Sequence, residues 1–242
     1  MTYQNRVLNS ELLQLCTRMI RINALGKLDI FKLNIRSVAI LPIESFDILL
    51  GNNVRISIMD MLSRSPMTVT SLSQELGMLK GVVHRHVKAL EDFGWIRQLS
   101  DEETKSIGLS REANRIYYVP SAMVYLGFKF EANEHGMKIV IPTNYGAFID
   151  MRGRKFILFT PTFTSHDCKN KCPTHDTCLD WIKRIGKQYH VSIDNDDAGK
   201  ALMYLYAQLV LKEFRVYMIN NVIMLDSPRL NSIFIKHTNL AL

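Results

Sequence analysis

The spacing of apolar residues divides the chain into three consecutive parts. In the first, five apolar residues recur at alternating intervals of four and three, which predicts the a/d seam of one amphipathic helix. Such a seam either packs on its own domain or joins two copies of the chain, and two heptads do not decide between these. The seam residues are Leu8, Leu12, Leu15, Met19 and Ile22.

The second part, residues 49–120, predicts three helices followed by a two-stranded hairpin. The second helix is short, with Thr68 as its N-cap and Gly77 as its C-terminal stop, and the third helix ends at Gly94. Two segments that then alternate between apolar and polar residues predict the strands. The third helix should bury Val83, Val87 and Leu90.

The third part, residues 121–242, predicts a mixed domain of strands and helices. We therefore expect an α+β protein in which residues 1–48 form an N-terminal helical segment, residues 49–120 a winged helix-turn-helix, and the remainder a mixed α/β domain. The predicted elements of the third part are strands at residues 137–141, 147–151 and 155–160, a short helix around residues 180–189, and a long helix from about Asp196, capped by Asn195 or Asp194.

The middle part carries a specific run of residues around its second and third helices. Thr68-Val69, Leu72 and Leu76-Gly77 are followed by Val83-His84-Arg85-His86-Val87-Lys88-Ala89-Leu90-Glu91 and by Gly94-Trp95-Ile96. This run resembles the winged helix-turn-helix regulators of the ArsR and MarR type, and the resemblance is limited to residues 49–120. It implies a domain that binds double-stranded DNA and regulates transcription.

The predicted third helix turns a cationic face outward, because burial of one face leaves the opposite residues exposed. An arginine there can donate two hydrogen bonds to guanine, and histidine or lysine can donate to bases or phosphates. Arginines in the wing suit phosphates or the minor groove. The candidate DNA-binding residues are Lys80, Gly81, Val82, His84, Arg85 and Lys88 in the helix, and Arg111 and Arg115 in the wing.

Overall charge supports a polyanionic partner only weakly. The chain carries a net charge of +7, but residues 51–120 contain nine basic and eight acidic residues. Three of these acids, Asp101, Glu102 and Glu103, lie at one end of the predicted wing, and we expect them to point away from DNA. The DNA-binding hypothesis therefore depends on the helix order and the exposed face.

Three of the four cysteines lie within residues 168–178, with a histidine among them. Three thiolates and one imidazole form a closed tetrahedral zinc site, and three cysteines with a variable fourth ligand also hold an iron–sulfur cluster. A disulfide between Cys168 and Cys172, or three free thiols, are the alternatives without a metal. The candidate ligands are Cys168, Cys172, His175 and Cys178, with His166 as an alternative fourth ligand.

No motif for an enzyme stands out. The sequence contains no nucleotide-binding glycine loop, nucleophile elbow or H-E-x-x-H motif, so we expect a protein that is not an enzyme. The acids Asp194, Asp196 and Asp197 precede a helix, where carboxylates act as caps. Two alternatives stay open: a DNA-processing enzyme with an appended winged helix, and a winged helix that serves protein–protein contacts or DNA replication or recombination.

The N-terminus lacks the apolar core of a signal peptide, and charged residues interrupt the longest apolar stretch, residues 201–225. We therefore expect a cytoplasmic protein without a membrane span. The hypothesis is a transcription regulator that binds specific duplex DNA as a homodimer and responds to a metal or to redox state through its Cys/His cluster. The dimer surface should come from residues 8–22 or residues 198–220.

Overall fold

The computed structural model describes residues 36–109, 115–133, 136–150 and 155–219. The predicted helix over residues 8–22 and the wing residue Arg111 lie outside these ranges. The fourth cysteine, Cys16, also lies outside them. Within them, helices and two sheets share a continuous hydrophobic core, which agrees with the predicted α+β class.

The first half of the described chain holds the winged helix-turn-helix and the two elements before it. These are strand β1 (Arg36–Pro42), helix α1 (Ile43–Leu50), helix α2 (Asn53–Arg64), strand β2 (Met67–Thr68), helix α3 (Val69–Leu76), helix α4 (Lys80–Asp92), strand β3 (Ile96–Gln98), helix α5 (Asp101–Ser106) and strand β4 (Tyr117–Pro120).

The second half holds most of the larger sheet and three helices. These are strand β5 (Ala122–Asn133), strand β6 (Gly136–Val140), strand β7 (Gly146–Asp150), strand β8 (Lys155–Phe159), helix α6 (Cys168–Lys171), helix α7 (His175–Gln188) and helix α8 (Ala198–Ile219).

Helix α3 begins and ends at the residues that the sequence predicts, and the turn after α4 lies at the predicted glycine. The Thr68 hydroxyl accepts a hydrogen bond from the backbone N–H of Ser71 at 3.0 Å, so Thr68 is the N-cap of α3. Gly77 ends α3 in the left-handed conformation with φ of 62°, which glycine adopts at no steric cost. Gly94, with φ of 79°, then turns the chain from α4 into β3.

The wing differs from the predicted two-stranded hairpin. It is a three-stranded antiparallel sheet in the order β2-β4-β3, and the predicted polar connection contains helix α5. Ser100 forms a capping box with Glu103 at the start of α5, and the acids of its first turn favour the helix dipole. The acidic run is therefore a helix N-terminus and not the rim of a loop.

The larger sheet has five strands in the order β1-β5-β7-β8, with β6 paired to the far end of β5. Strand β1 runs parallel to β5, with Val38 opposite Val124, and the other pairs are antiparallel. Strands β6, β7 and β8 match the predicted strands. The sequence did not predict β1 or β5. In β5, residues 122–128 are all buried, so this strand shows no alternation between apolar and polar positions.

An aromatic cluster joins the winged helix to the larger sheet. Trp95, fully buried at the start of the wing, has ring centroids 4.9 Å from Phe46 of α1, 4.8 Å from Tyr125 of β5 and 6.0 Å from Phe156 of β8. Its indole N–H donates to the Ser45 carbonyl at 3.0 Å, and its own carbonyl accepts from the Tyr125 hydroxyl at 2.7 Å. The turn that follows α4 is thus packed on residues from both halves of the described chain.

Helix α8 forms one wall of the C-terminal part, where it packs on α7 and β5. Its cap is Asp197, whose carboxylate accepts from the Lys200 N–H at 2.9 Å, so the prediction of Asn195 or Asp194 as cap was wrong by two or three residues. Most side chains from Ala198 to Leu209 are buried inside the protomer. Among the described helices, none combines the length and apolar character needed to cross a bilayer.

Candidate nucleic-acid interface

Helix α4 is oriented as its sequence pattern predicts. Val83, Val87 and Leu90 are buried against α2 and α3 with at most 1% exposure. The other side of the helix faces solvent: Lys80, Gly81, His84, Arg85 and Lys88 are exposed, and Val82 is half-buried. All six candidate residues of this helix therefore lie on or beside one accessible face.

The positive charge of this face is concentrated in its N-terminal half. Lys88, nearer the C-terminus, forms ion pairs with Asp92 at 2.7 Å and Glu91 at 3.5 Å. The hydrogen bond and charge of Asp92 raise the pKa of Lys88, and Glu91 adds to this. Because these acids offset the ammonium of Lys88, we define the recognition face as Lys80, Gly81, Val82, His84 and Arg85.

Two further basic residues, His86 and Arg55, lie near the recognition face. His86 is half-buried, and burial lowers its pKa, with further contributions from the charges of Arg55 and Arg85. Arg55 comes from α2 and donates through its guanidinium to the Ile48 carbonyl. Arg55 therefore adds a guanidinium charge close to His86. Sequence reasoning missed Arg55, since only the fold brings α2 beside α4.

Residue Leu79 forms the uncapped start of α4. Its backbone is extended, with φ of −61° and ψ of 134°, and no side chain caps the helix here. The Leu79 side chain is 79% exposed. A side chain added at the neighbouring Gly81 would meet no atom within 4 Å, so the surface around the start of α4 is open.

The wing contributes one described candidate, Arg115, which is exposed just before β4. Of the three wing acids, Glu103 forms a bidentate pair with Arg97 at 2.7 and 2.8 Å. Burial alone would raise the pKa of Glu103, but hydrogen bonds from Arg97 and Ser100 and the charge of Arg97 lower it overall. Glu103 is thus held against β3, and Asp101 and Glu102 are exposed on α5.

The geometry of residues 52–98 agrees with a family match over the same segment. These residues match the family model described as bacterial regulatory protein, arsR family. Residues 52–98 therefore resemble the helix-turn-helix segment of that family. The match covers α2 to β3 and includes the whole recognition face.

Comparison with whole proteins adds little to this family match. No curated protein matches the chain. Among solved structures, the chain is similar to the solution NMR structure of a homodimeric winged helix-turn-helix DNA-binding domain from Mycobacterium bovis, a possible ArsR-family transcriptional regulator. The two are 21% identical, with a TM-score of 0.25, and the match covers 33% of this chain and 66% of that chain, which is less than two thirds of its length.

The Cys/His cluster lies far along the chain, at the N-terminus of α8. Cys168 is buried, and its thiol accepts a hydrogen bond from the Gly199 N–H. His175 accepts from the Ala198 N–H through Nε2 at 3.3 Å, and its Nδ1 pairs with Asp176 at 2.8 Å. Cys168 and His175 therefore satisfy two of the backbone N–H groups that every helix N-terminus leaves open.

The other two thiols lie close to one hydroxyl group. The Thr174 Oγ1 atom is 3.4 Å from the Cys172 sulfur and 3.9 Å from the Cys178 sulfur. All three of these cysteines are free, and within the described ranges no three Cys, His, Asp or Glu side chains are arranged to hold a metal ion. Burial raises the pKa of Cys168 to about 12, and the charges of Asp197, Cys172 and Cys178 add to this.

The structure also places the alternative ligand His166 and the acidic residues that precede α8. His166 is half-buried in the loop before α6. Asp196 pairs with Lys169, and Asp197 caps α8, which agrees with the capping interpretation of this acidic run.

Proposed function

We propose that this protein is a transcription regulator that binds specific sites in double-stranded DNA. The observation that carries the proposal is the recognition face, which projects from an ArsR-type winged helix-turn-helix with Lys80, His84 and Arg85 exposed. An α-helix fits the major groove, and the N-terminal residues of a recognition helix contact base edges there. Lys80, His84 and Arg85 lie in the N-terminal half of α4.

Gly81 and the basic residues of the face have roles that follow from their chemistry. Arg85 donates two hydrogen bonds to the O6 and N7 atoms of a guanine. Lys80 and His84 bind phosphates or base edges, and Gly81 lets the helix backbone approach the groove closely. Arg115 in the wing binds a phosphate of the flanking backbone.

The test begins with selection of duplexes from a random library by the full chain, followed by fluorescence anisotropy on the selected site. Arg85→Ala should weaken binding by about 1–3 kcal/mol, roughly 5- to 150-fold, and relax the preference at one position. Lys80→Ala should weaken binding to all DNA sequences alike and reduce the magnitude of the slope of log K against log salt by about 1. Lys183→Ala, which removes an exposed charge from α7, is the matched control and should change neither quantity.

Failure of the full chain to bind any duplex in a salt-dependent manner would contradict the proposal. The winged helix would then be a protein–protein contact module. We propose that the chain has no catalytic activity. Metal-dependent cleavage of the duplex would contradict this and support the alternative of a DNA-processing enzyme.

We also propose that the regulator acts in the cytoplasm as a homodimer that reads a pseudo-palindromic site. Support comes from the a/d seam of residues 8–22, since the first half of α8 is buried within the protomer and is not free for a partner. Sedimentation of the full chain should give a dimer of this 27.9 kDa chain. Leu12→Glu, which places a charge in the seam, should give a monomer; a persistent dimer would contradict the seam as the interface.

Finally, we propose that the Cys/His cluster binds zinc and makes DNA binding responsive to it. The support is the set of ligands, Cys168, Cys172, His175 and Cys178, gathered near the N-terminus of α8. The Cys168 sulfur has enough lone pairs to bind a metal and keep its hydrogen bond from the Gly199 N–H. His175 must release one ring nitrogen, either Nε2 from the Ala198 N–H or Nδ1 from Asp176. Zinc bound by these four residues would supply a closed tetrahedral cross-link between α6 and α7.

Elemental analysis of full-length protein, purified without oxygen, should find about one zinc per chain. Cys172→Ser and Cys178→Ser should each lose it, whereas Cys16→Ser, outside the cluster, should retain it. Iron and a brown colour would contradict zinc in favour of an iron–sulfur cluster. Loss of two titratable thiols without any metal would show a disulfide instead.

A further inference from the structure

Among the large apolar side chains that the structure describes, the most exposed lies at the start of the recognition helix. Leu79 is 79% exposed, compared with 49% for Ile116 and 39% for Phe163. It directly precedes Lys80, and the next residue, Gly81, has open space where a side chain would be. An apolar side chain therefore projects beside the cationic recognition face.

Hydrogen bonds hold the turn that presents Leu79. The Met78 N–H donates to the Ser73 carbonyl at 3.0 Å, and the Ser73 hydroxyl donates back to the Met78 carbonyl. The Leu79 carbonyl accepts from the N–H groups of Val82 at 2.9 Å and Val83 at 3.1 Å. Because the backbone is already ordered on both sides, contact with a ligand would cost little further backbone entropy.

We propose that Leu79 contacts the C5-methyl group of a thymine in the major groove and makes thymine the preferred base at that position. The inference rests on the proposed DNA binding. Residues at the start of a recognition helix reach base edges, and the thymine methyl group is the apolar feature of the major-groove edges of the four bases. The flanking Lys80 and His84 provide positive charge that complements the phosphates beside such a contact.

The test uses a duplex selected from a random library by the full chain, in which each thymine is replaced in turn by uracil. Uracil lacks only the C5-methyl group. Burial of one methyl-sized group contributes about 0.8 kcal/mol, so one position should show about a fourfold loss of affinity for the unmodified protein. Leu79→Ala should bind the thymine and uracil duplexes equally, at about the affinity of the unmodified protein for the uracil duplex.

Ile116→Ala, which removes an exposed apolar side chain from the wing, is the matched control and should keep the fourfold discrimination. Leu79→Met keeps an apolar side chain of similar size and should keep most of it. Equal sensitivity to uracil in Leu79→Ala and the unmodified protein overturns the inference, as does insensitivity of the unmodified protein at every thymine. If no duplex is selected at all, the proposed function itself fails, which is seen before any uracil is introduced.

Discussion

The contacts of Trp95 predict that the winged helix and the C-terminal sheet unfold as one unit. Trp95 is fully buried and packs on rings from α1, β5 and β8. A further link runs from the Phe156 N–H of β8 to the Asp60 carboxylate of α2 at 3.3 Å. Loss of the Trp95 ring therefore removes contacts on both sides of the boundary between the two halves.

Trp95→Ala should reduce the free energy of unfolding by about 3–5 kcal/mol, the usual range for a buried large aromatic residue. That range includes the cavity left between Phe46, Tyr125 and Phe156. The buried Ser45 carbonyl also loses its indole donor, which on its own costs roughly 1–3 kcal/mol. With a urea m-value of about 3 kcal/mol/M, the midpoint should fall by about 1–2 M.

The assay uses the second tryptophan as a reporter from the other half. The chain has two tryptophans, so Trp95→Ala leaves Trp181 of α7 as the only one. Urea unfolding followed by Trp181 fluorescence and by far-ultraviolet circular dichroism should give coincident transitions, both shifted by the full amount. Phe93→Ala, two residues away at a site 36% exposed, is the control and should shift the midpoint little. A Trp181 transition that stays in place in Trp95→Ala would refute the shared core.

Two further predictions concern single positions. Gly77→Ala should destabilise the protein by about 1 kcal/mol in urea unfolding because φ is 62° there, although a side chain would meet no atom within 4 Å. Gly81→Ala lies in the helical backbone of α4 with the same open space and should stabilise the protein by about 0.5 kcal/mol. A loss of stability at Gly81 with none at Gly77 would contradict both expectations. Stability should also fall between about pH 10 and pH 12, because burial raises the pKa of Tyr125 from 10.0 to about 12. The neutral Tyr125 phenol contributes stability that is fully present below the unfolded pKa and is lost as pH rises toward the folded value. Thermal melts of Tyr125→Phe should lose part of this fall above pH 10, and an unchanged pH profile in that variant would refute the assignment.

Local patterns were sufficient to predict the helix-turn-helix. Thr68, Gly77 and Gly94 act through backbone conformations and hydrogen bonds to residues a few positions away. The 3.6-residue period then separates Val83 and Val87 from the exposed side of α4. Such signals depend on neighbours in the chain, so they are readable without the fold.

The central strand of the large sheet was not readable in this way. Every residue from 122 to 128 is buried, because β5 is covered on both faces and lies between β1 and β7. A strand in that position needs no polar alternation, and its partner β1 lies more than eighty residues earlier. Pairing between segments so far apart in the chain produces no periodic pattern of apolar residues in either segment.

The sequence by itself determined the recognition helix, its C-terminal end, its buried face and its candidate DNA contacts, because a helix of this kind is specified by residues within one or two turns of each other. Only the tertiary structure decided how charges and thiols are used. Lys88 is offset by acids on its own helix, Arg55 of α2 places its charge near His86 of α4, and Cys168 and His175 accept hydrogen bonds from α8. The physical reason is that the free energy of a charge or a thiol depends on burial and on its nearest partners, most of which come from distant parts of the chain.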